Sequence, residues 1–304
     1  MQDPDPNFQP VPGVSEDLRH GLRRIVAPNP SPMTFRGTNT YLLGTKELAV
    51  IDPGPNSAAH LAAILSAQSV GQRITHILVT HAHIDHSPLA RQLSQETGAP
   101  VYAFGPAEAG RSDQMRHLAA QGVVSGGEGV DWDFAPDIAV ADGTQLTAED
   151  WQIEVIYTPG HMSNHISFCW KDAVFSGDHV MGWATSMVSP PDGDLTAFMA
   201  SLRRLKTRQD KMYFPGHGAP ILDPISRVGD LIAHRRGREA QILEALTSGA
   251  ANVNDLTRII YSEIDPRLHA AASRNVLAHL LDLEHRSVVI RPKGKATEVE
   301  FSLF

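Results

Sequence analysis

The chain has 304 residues, enough for one large domain or one large domain with a small companion. With 42% hydrophobic and 20% charged residues it can bury a core, which excludes a disordered chain; a formal net charge of −8 excludes a wholly basic nucleic-acid coat, though not a local basic patch. The one cysteine, Cys169, excludes an intrachain disulfide framework and a cysteine-based structural zinc site.

The first 30 residues are proline-rich and read as irregular until Gly21-Leu22-Arg23-Arg24-Ile25-Val26. The opening Met1-Gln2-Asp3-Pro4 lacks the basic and apolar regions of a signal peptide, and no apolar run is long enough to span a membrane, so the expectation is a cytoplasmic protein. Thr40–Leu43 and Leu48–Ile51 read as strands, the second ended by the turn signal Asp52-Pro53-Gly54-Pro55. Ser57 is placed to cap a helix over 58–70. Ile74–Thr80 is a strand running into His81, followed by a helix with Ser87 as its cap, Pro88 in its first turn and Gly98 past its end. Val101–Phe104 is a short strand. Residues 105–137 read as helix and loop, with a glycine-rich piece at 126–129. Strands are predicted at Ile153–Thr158, Ile166–Trp170, Ala173–Ser176 and Lys211–Phe214, and Asp194 is placed to cap a helix burying Leu195, Phe198, Met199, Leu202 and Leu205. After Pro224 the pattern turns helical, at about 225–247, 253–264 and 266–285. Val288–Ile290 and Thr297–Phe301 then read as a hairpin around Pro292-Lys293-Gly294-Lys295. Three helices and a hairpin outline a winged-helix module, which divides the chain into residues 1–220 and 221–304.

The strongest chemical signal is Thr80-His81-Ala82-His83-Ile84-Asp85-His86 at a strand end. Side chains alternate along a strand, so His81 and His83 leave on one side, and a tight turn can aim Asp85 and His86 at the same point. Imidazole and carboxylate suit zinc, iron or manganese. Further ligand types follow apolar strands at Thr158-Pro159-Gly160-His161, Ser176-Gly177-Asp178-His179 and Phe214-Pro215-Gly216-His217-Gly218, each next to a glycine that allows crowding. His165, four residues after His161, either faces a substrate or supports a ligand. His179 is expected to point away from Asp178.

Together these motifs resemble the metallo-β-lactamase superfamily over about residues 20–220. The resemblance implies an αββα sandwich, here with a small C-terminal winged-helix-like domain, and a metal-dependent hydrolase. It implies that His81, His83 and His161 hold one divalent ion, that Asp85, His86 and His217 hold a second, and that Asp178 bridges them. Two such ions, most simply zinc, with iron or manganese as alternatives, can share a hydroxide of lowered pKa. Asp85 could also orient that hydroxide or move a proton, and Asp52 would support the ligands from behind.

Within the superfamily the chain is most similar to the β-lactamase-like protein 2 group, through Gly37-Thr38-Asn39-Thr40-Tyr41-Leu42, Ser176-Gly177-Asp178, Tyr213-Phe214-Pro215-Gly216-His217-Gly218 and His234-Arg235-Arg236-Gly237-Arg238-Glu239. That likeness implies single-stranded RNA as the substrate, by phosphodiester cleavage. The alternatives are hydrolysis of a small thioester, lactone or carboxylic ester, or a winged-helix nucleic-acid binder with a non-catalytic hydrolase domain. Charge is uneven: residues 1–200 carry ten basic and 22 acidic side chains, whereas 201–220 carry five and one. Arg203, Arg204, Lys206, Arg208 and Lys211, with Arg235, Arg236 and Arg238, are thus either a phosphate-contacting rim or the solvated faces of two helices.

Overall fold

The computed structural model describes residues 3–123, 129–265 and 268–304. Among them the first sheet runs in chain order through β1 (Ser15–Arg19), β2 (Leu22–Val26), β3 (Asn39–Leu43), β4 (Glu47–Ile51), β5 (Arg73–Leu78), β6 (Val101–Ala103) and β7 (Ile138–Ala139). Pairing is antiparallel as far as β4 and parallel from there on. Helices α1 (Ala58–Ser66), α2 (Leu89–Thr97) and α3 (Asp113–Ala120) lie in its connections. The second sheet holds β8 (Gln145–Thr147), β9 (Gln152–Tyr157), β10 (Ile166–Trp170), β11 (Ala173–Gly177) and β12 (Met212–Pro215), in the order β12-β11-β10-β9-β8. Helix α4 (Leu195–Lys206) makes the parallel crossover from β11 to β12.

The period-2 pattern explains the layering. Along β4, Leu48 and Val50 join a core with Leu61 and Ile64 of α1 and Leu89 and Leu93 of α2. Ala49 and Ile51 point the other way, into a core shared with Ile153, Val155, Phe168 and Phe175 of the second sheet. On that sheet's far face, Val174 and Tyr213 meet Phe198 and Leu202 of α4. The result is helix, sheet, sheet, helix. Phe168, Phe175 and Phe214 are almost wholly buried, and each such side chain contributes about 1.5–3 kcal/mol of transfer free energy.

The chain continues through α5 (Pro224–Leu246), α6 (Val253–Ile260), α7 (His269–His285), β13 (Val289–Ile290) and β14 (Ser302–Leu303). Leu246, Leu256, Leu280, Val289 and Phe301 form the core of this part, with Met115 and Leu118 of α3 added to it. The same α5 packs Val228, Leu231 and Ile232 against α4, so the C-terminal module is tied to the sandwich by apolar contact.

Several local expectations are corrected. The first 30 residues are not wholly irregular: Ser15–Arg19 is a largely exposed edge strand on β2, hard to see by hydrophobic patterning because Leu18 alone of its side chains packs on the core. Helix α1 ends at Ser66, not at 70. Ser87 does not cap α2; its hydroxyl donates to Asp131 Oδ2 at 2.6 Å, with the His83 carbonyl farther off at 3.1 Å, and the helix begins at Leu89. In the C-terminal hairpin β13 pairs with Ser302–Leu303 rather than 297–301, because the shorter strand sits past a turn at 296–299. Of the glycine-rich piece, residues 126–128 lie outside the described residues, as do 266–267 at the start of the last expected helix. No helix among the described residues is long and apolar enough to cross a membrane.

Candidate metal centre

The ligand types singled out from the sequence lie in loops at strand ends. Residues 79–86 follow β5, His161 follows β9, Asp178 follows β11 and His217 follows β12. The parallel pairs β4·β5 and β11·β12 deliver those ends to one edge of the sandwich.

Three ring nitrogens converge there: His81 Nε2 lies 2.9 Å from His83 Nδ1, which lies 3.1 Å from His161 Nε2. A second set joins His217 Nε2 to Asp85 Oδ2 at 3.1 Å and to His86 Nε2 at 3.3 Å. Asp178 reaches both sets, with Oδ2 at 3.3 Å from His217 Nε2 and 3.8 Å from His161 Nε2, and Oδ1 at 3.5 Å from His86 Nε2. Ligands around a tetrahedral zinc at its usual bond lengths stand about 3.3 Å apart. The spacing of both sets therefore fits a divalent ion in each, and Asp178 Oδ1 is a buried oxygen without a hydrogen-bond donor among the described residues.

The outer nitrogens are tied down. His86 Nδ1 donates to Asp52 Oδ2 at 3.0 Å, His161 Nδ1 to the Met187 carbonyl at 2.7 Å and His217 Nδ1 to the Gly37 carbonyl at 3.2 Å. Asp52 also accepts from Thr80 N (2.7 Å) and Thr80 Oγ1 (2.8 Å). With the Thr80 proton committed to that carboxylate, its oxygen accepts from His81 Nδ1 at 2.9 Å. One carboxylate thus sets the tautomer of a histidine in each set, leaving Nε2 lone pairs aimed inward. Asp52 itself has φ of 49°, a left-handed conformation that Asp tolerates better than most residues.

Charge follows geometry. Burial, together with the neighbouring imidazoles, holds His81 well below the usual histidine range, and His83 is pushed down to about 3. Both are neutral, as ligands must be. Burial opposes charge on the second set, yet the carboxylates prevail: His86 is held well above its ordinary value, mainly by Asp85 and Asp178, and His217 is raised to about 10 by Asp178 and Asp85. Asp85 and Asp178 are correspondingly held well below the carboxylate range despite burial. Protons on His86 and His217 occupy the place a cation would take.

Small residues make the convergence sterically feasible. A Cβ on Gly216 would fall 2.4 Å from Asp178 Oδ1 and 2.7 Å from His86 Cε1, and one on Gly160 would fall 2.3 Å from Phe198 Cα. Asn39 closes the floor, its Nδ2 donating to the carbonyls of Pro215 and Gly218, both at 2.9 Å, while the Tyr41 hydroxyl donates to Pro215 O. These are the roles of the 37–42 motif, which carried no chemical signal of its own.

His165 stands apart from the ligands. It is fully buried, its ring centroid lies 5.1 Å from that of His81, and its Nδ1 pairs with Thr158 Oγ1 at 2.9 Å. It sits behind the ligands, not at the open side, where His83 and Asp85 retain exposure. His179 points away, its ring 4.5 Å from that of Phe198. The basic residues of 203–238 are largely engaged. Arg204 pairs with Asp142 at 2.9 Å, Arg208 with Asp210 at 2.7 Å, and Arg235 is buried. Lys211 lies 4.0 Å from Asp172, and Arg238 stacks on Tyr261.

Apolar side chains rim the open side. Ile84, between two ligands, is half exposed, and so is Trp132, two residues past the Val130 bridge to His83. Beside His217, Trp183 packs on Gly218 and stacks on Phe35 with centroids 4.9 Å apart.

An αββα sandwich with histidines and aspartates gathered at one sheet edge defines a metal-dependent hydrolase. Residues 33–217 match the metallo-beta-lactamase superfamily and residues 253–296 the beta-lactamase associated winged helix domain. The chain belongs to the metallo-beta-lactamase superfamily. It is 32% identical over 316 residues to a Drosophila melanogaster protein named beta-lactamase-like protein 2 homolog, covering 97% of each chain. It is 30% identical over 297 residues to the atrochrysone carboxyl ACP thioesterase of Aspergillus fumigatus, covering 89% of this chain and 84% of that one. The crystal structure of a beta-lactamase domain protein from Burkholderia ambifaria superposes with a TM-score of 0.80 at 22% identity, over 99% of this chain and 96% of that one.

Proposed function

We propose that the protein is a binuclear, most simply zinc-dependent, hydrolase of a thioester or carboxylic ester with an apolar acyl group. His81, His83 and His161 would hold one ion, Asp85, His86 and His217 the other, with Asp178 between them. When bound, the ions supply a water-derived nucleophile at neutral pH and polarise the carbonyl under attack. Asp85, whose side chain keeps 20% exposure against 10% for Asp178, faces the open side and is placed to take the proton of the incoming water. Asp52 and Thr80 hold the ligand tautomers. His165, away from solvent behind His81, supports the ligand bed rather than touching substrate.

The observation that carries the substrate class is the rim. Ile84, Trp132 and the Phe35–Trp183 stack offer apolar surface to an acyl chain, whereas of the basic cluster Arg204 and Arg208 are paired with carboxylates and Arg235 is buried, which leaves Arg203 and Arg236 as its exposed arginines. An unpaired guanidinium is the natural reader of phosphate, and Arg204 and Arg208 already serve carboxylates. The thioesterase name of the fungal relative agrees with this class. The test is a side-by-side assay of the zinc-loaded protein on an aromatic acyl thioester, a carboxylic ester and single-stranded RNA. Turnover of the thioester or ester with RNA intact is expected. Cleavage of RNA alone would overturn the proposal.

A further inference from the structure

The ligand His161 is oriented by a backbone carbonyl that is itself held from the C-terminal module. His161 Nδ1 donates to Met187 O at 2.7 Å. Met187 lies in the segment between β11 and α4, at 178–194, which contains neither helix nor strand. Its backbone therefore depends on outside contacts, and α5 supplies three. Arg227 donates from Nε to Met181 O and from Nη2 to Ala184 O, both at 2.7 Å, and Arg235 Nη2 donates to Ser186 O. Ser186 immediately precedes Met187, and its hydroxyl donates to His179 O at 3.1 Å. Arg235 is in turn aimed by Asn275 of α7, whose Oδ1 accepts from Nη1 at 2.9 Å.

Arg235 is only 4% exposed, and no carboxylate pairs with it among the described residues. A buried cation without a counter-ion is unfavourable, and a Met or Leu would fill the same volume without that penalty. Packing alone does not explain an arginine here; a rigid fork joining two oxygens does.

We infer that Arg235 is a positioning residue for the metal centre: by fixing Ser186 O it fixes Met187 O and hence the ring orientation and tautomer of His161. The C-terminal module is thereby a working part of the site. The inference rests on His161 being a metal ligand, as proposed above.

The test uses the full chain with Co2+ as the probe metal. Wild type, Arg235→Met and Arg235→Lys are compared with Leu246→Ala, which opens the C-terminal core away from the 178–194 segment. Chelator competition, the visible absorption of bound cobalt and thermal melting are read in each. Arg235→Met is expected to weaken one of the two cobalt ions by roughly 10–100-fold, the usual effect of losing an outer hydrogen bond, and to alter its absorption band. Arg235→Lys, with one donor left for Ser186 O, should recover part of both. Leu246→Ala should lower the melting temperature with cobalt binding unchanged. Wild-type cobalt affinity and spectrum in folded Arg235→Met would overturn the inference, as would the same cobalt changes in Leu246→Ala. Should Arg235→Met fail to fold, Arg235→Lys is read by the same criteria. A wild-type chain that takes up no cobalt would instead overturn the ligand assignment itself.

Discussion

Asp52→Asn is the most discriminating substitution, because it keeps shape and changes only which atoms donate. The Asp52 carboxylate accepts from Thr80 N, Thr80 Oγ1 and His86 Nδ1, and Thr80 Oγ1 accepts from His81 Nδ1. An amide has one acceptor oxygen and one donor nitrogen. If the oxygen keeps Thr80 N, the NH2 group faces Thr80 Oγ1 and His86 Nδ1. Relief then requires the Thr80 hydroxyl to turn toward His81 and His86 to lose its Nδ1 proton. Both histidines would carry hydrogen on Nε2, where the metal lone pair is needed. If the amide flips, its NH2 group meets the buried Thr80 N–H instead, and a buried unsatisfied donor costs about 1–3 kcal/mol. Each ion should therefore lose roughly 10–100-fold in affinity, equivalent to about 1.4–2.8 kcal/mol. The assay is stepwise zinc titration against a chromophoric chelator, with circular dichroism to establish folding. Two ions bound with wild-type affinity by a folded Asp52→Asn protein would refute the tautomer argument.

Other outcomes follow from the same geometry. Metal uptake near pH 8 should release the protons that the facing carboxylates hold on His86 and His217; the His217 share should fade as the pH approaches 10, and a pH-indicator titration measures it. His279 of α7 is 2% exposed with neither ring nitrogen partnered among the described residues, and burial beside Arg235 lowers it to about 3. The unfolded chain takes up that proton below about pH 6.5 while the folded chain does not, so stability falls on acidification, by about 2 kcal/mol at pH 5 from this group. His279→Leu should flatten the dependence of urea midpoints between pH 7.5 and 5, and an unchanged slope would count against it. Gly160→Ala should destabilise by about 3 kcal/mol in urea unfolding, since its Cβ would strike the backbone of Phe198 at a φ of 143°. Trp132→Ser should raise KM for an aromatic acyl thioester about tenfold, a loss of about 1.4 kcal/mol, with kcat little changed.

The ligands were legible because each is local. His81 through His86 share one strand end, and His161, Asp178 and His217 each follow an apolar run beside a glycine. The two-sided burial of β4 could be read from its apolar run Leu48-Ala49-Val50-Ile51, whereas that of β3, which opens with Asn39-Thr40, could not. What stayed hidden depends on depth or on backbone. Spacing put His165 near His161 but could not show that Thr158 and His81 enclose it. Met187 O and Gly37 O orient two ligands, and a carbonyl leaves no mark in residue identity. The partners of the basic cluster were hidden for the same reason. Arg208 finds Asp210 two residues on, but the Asp142 that engages Arg204 lies 62 residues away in sequence.

The winged-helix outline suggested a nucleic-acid reader, and packing argues for a different use. In helix-turn-helix proteins the second helix of the motif enters the major groove and must be free to do so. Here that helix is α7, and Val276 through Leu283 are buried without interruption. Its outer flank is held by the sandwich: Asp282 Oδ1 accepts from Thr196 Oγ1 of α4 at 2.6 Å, and Gln114 of α3 donates to the Leu281 carbonyl. Entering a groove would require breaking those bonds and exposing the apolar contacts α4 makes with α5 and Ala278. The same docking places Asn275 against Arg235 and Arg235 against the segment that walls His161. A helix cannot be both pinned for that purpose and free to read a duplex, so the packing favours a module that shapes the metal site.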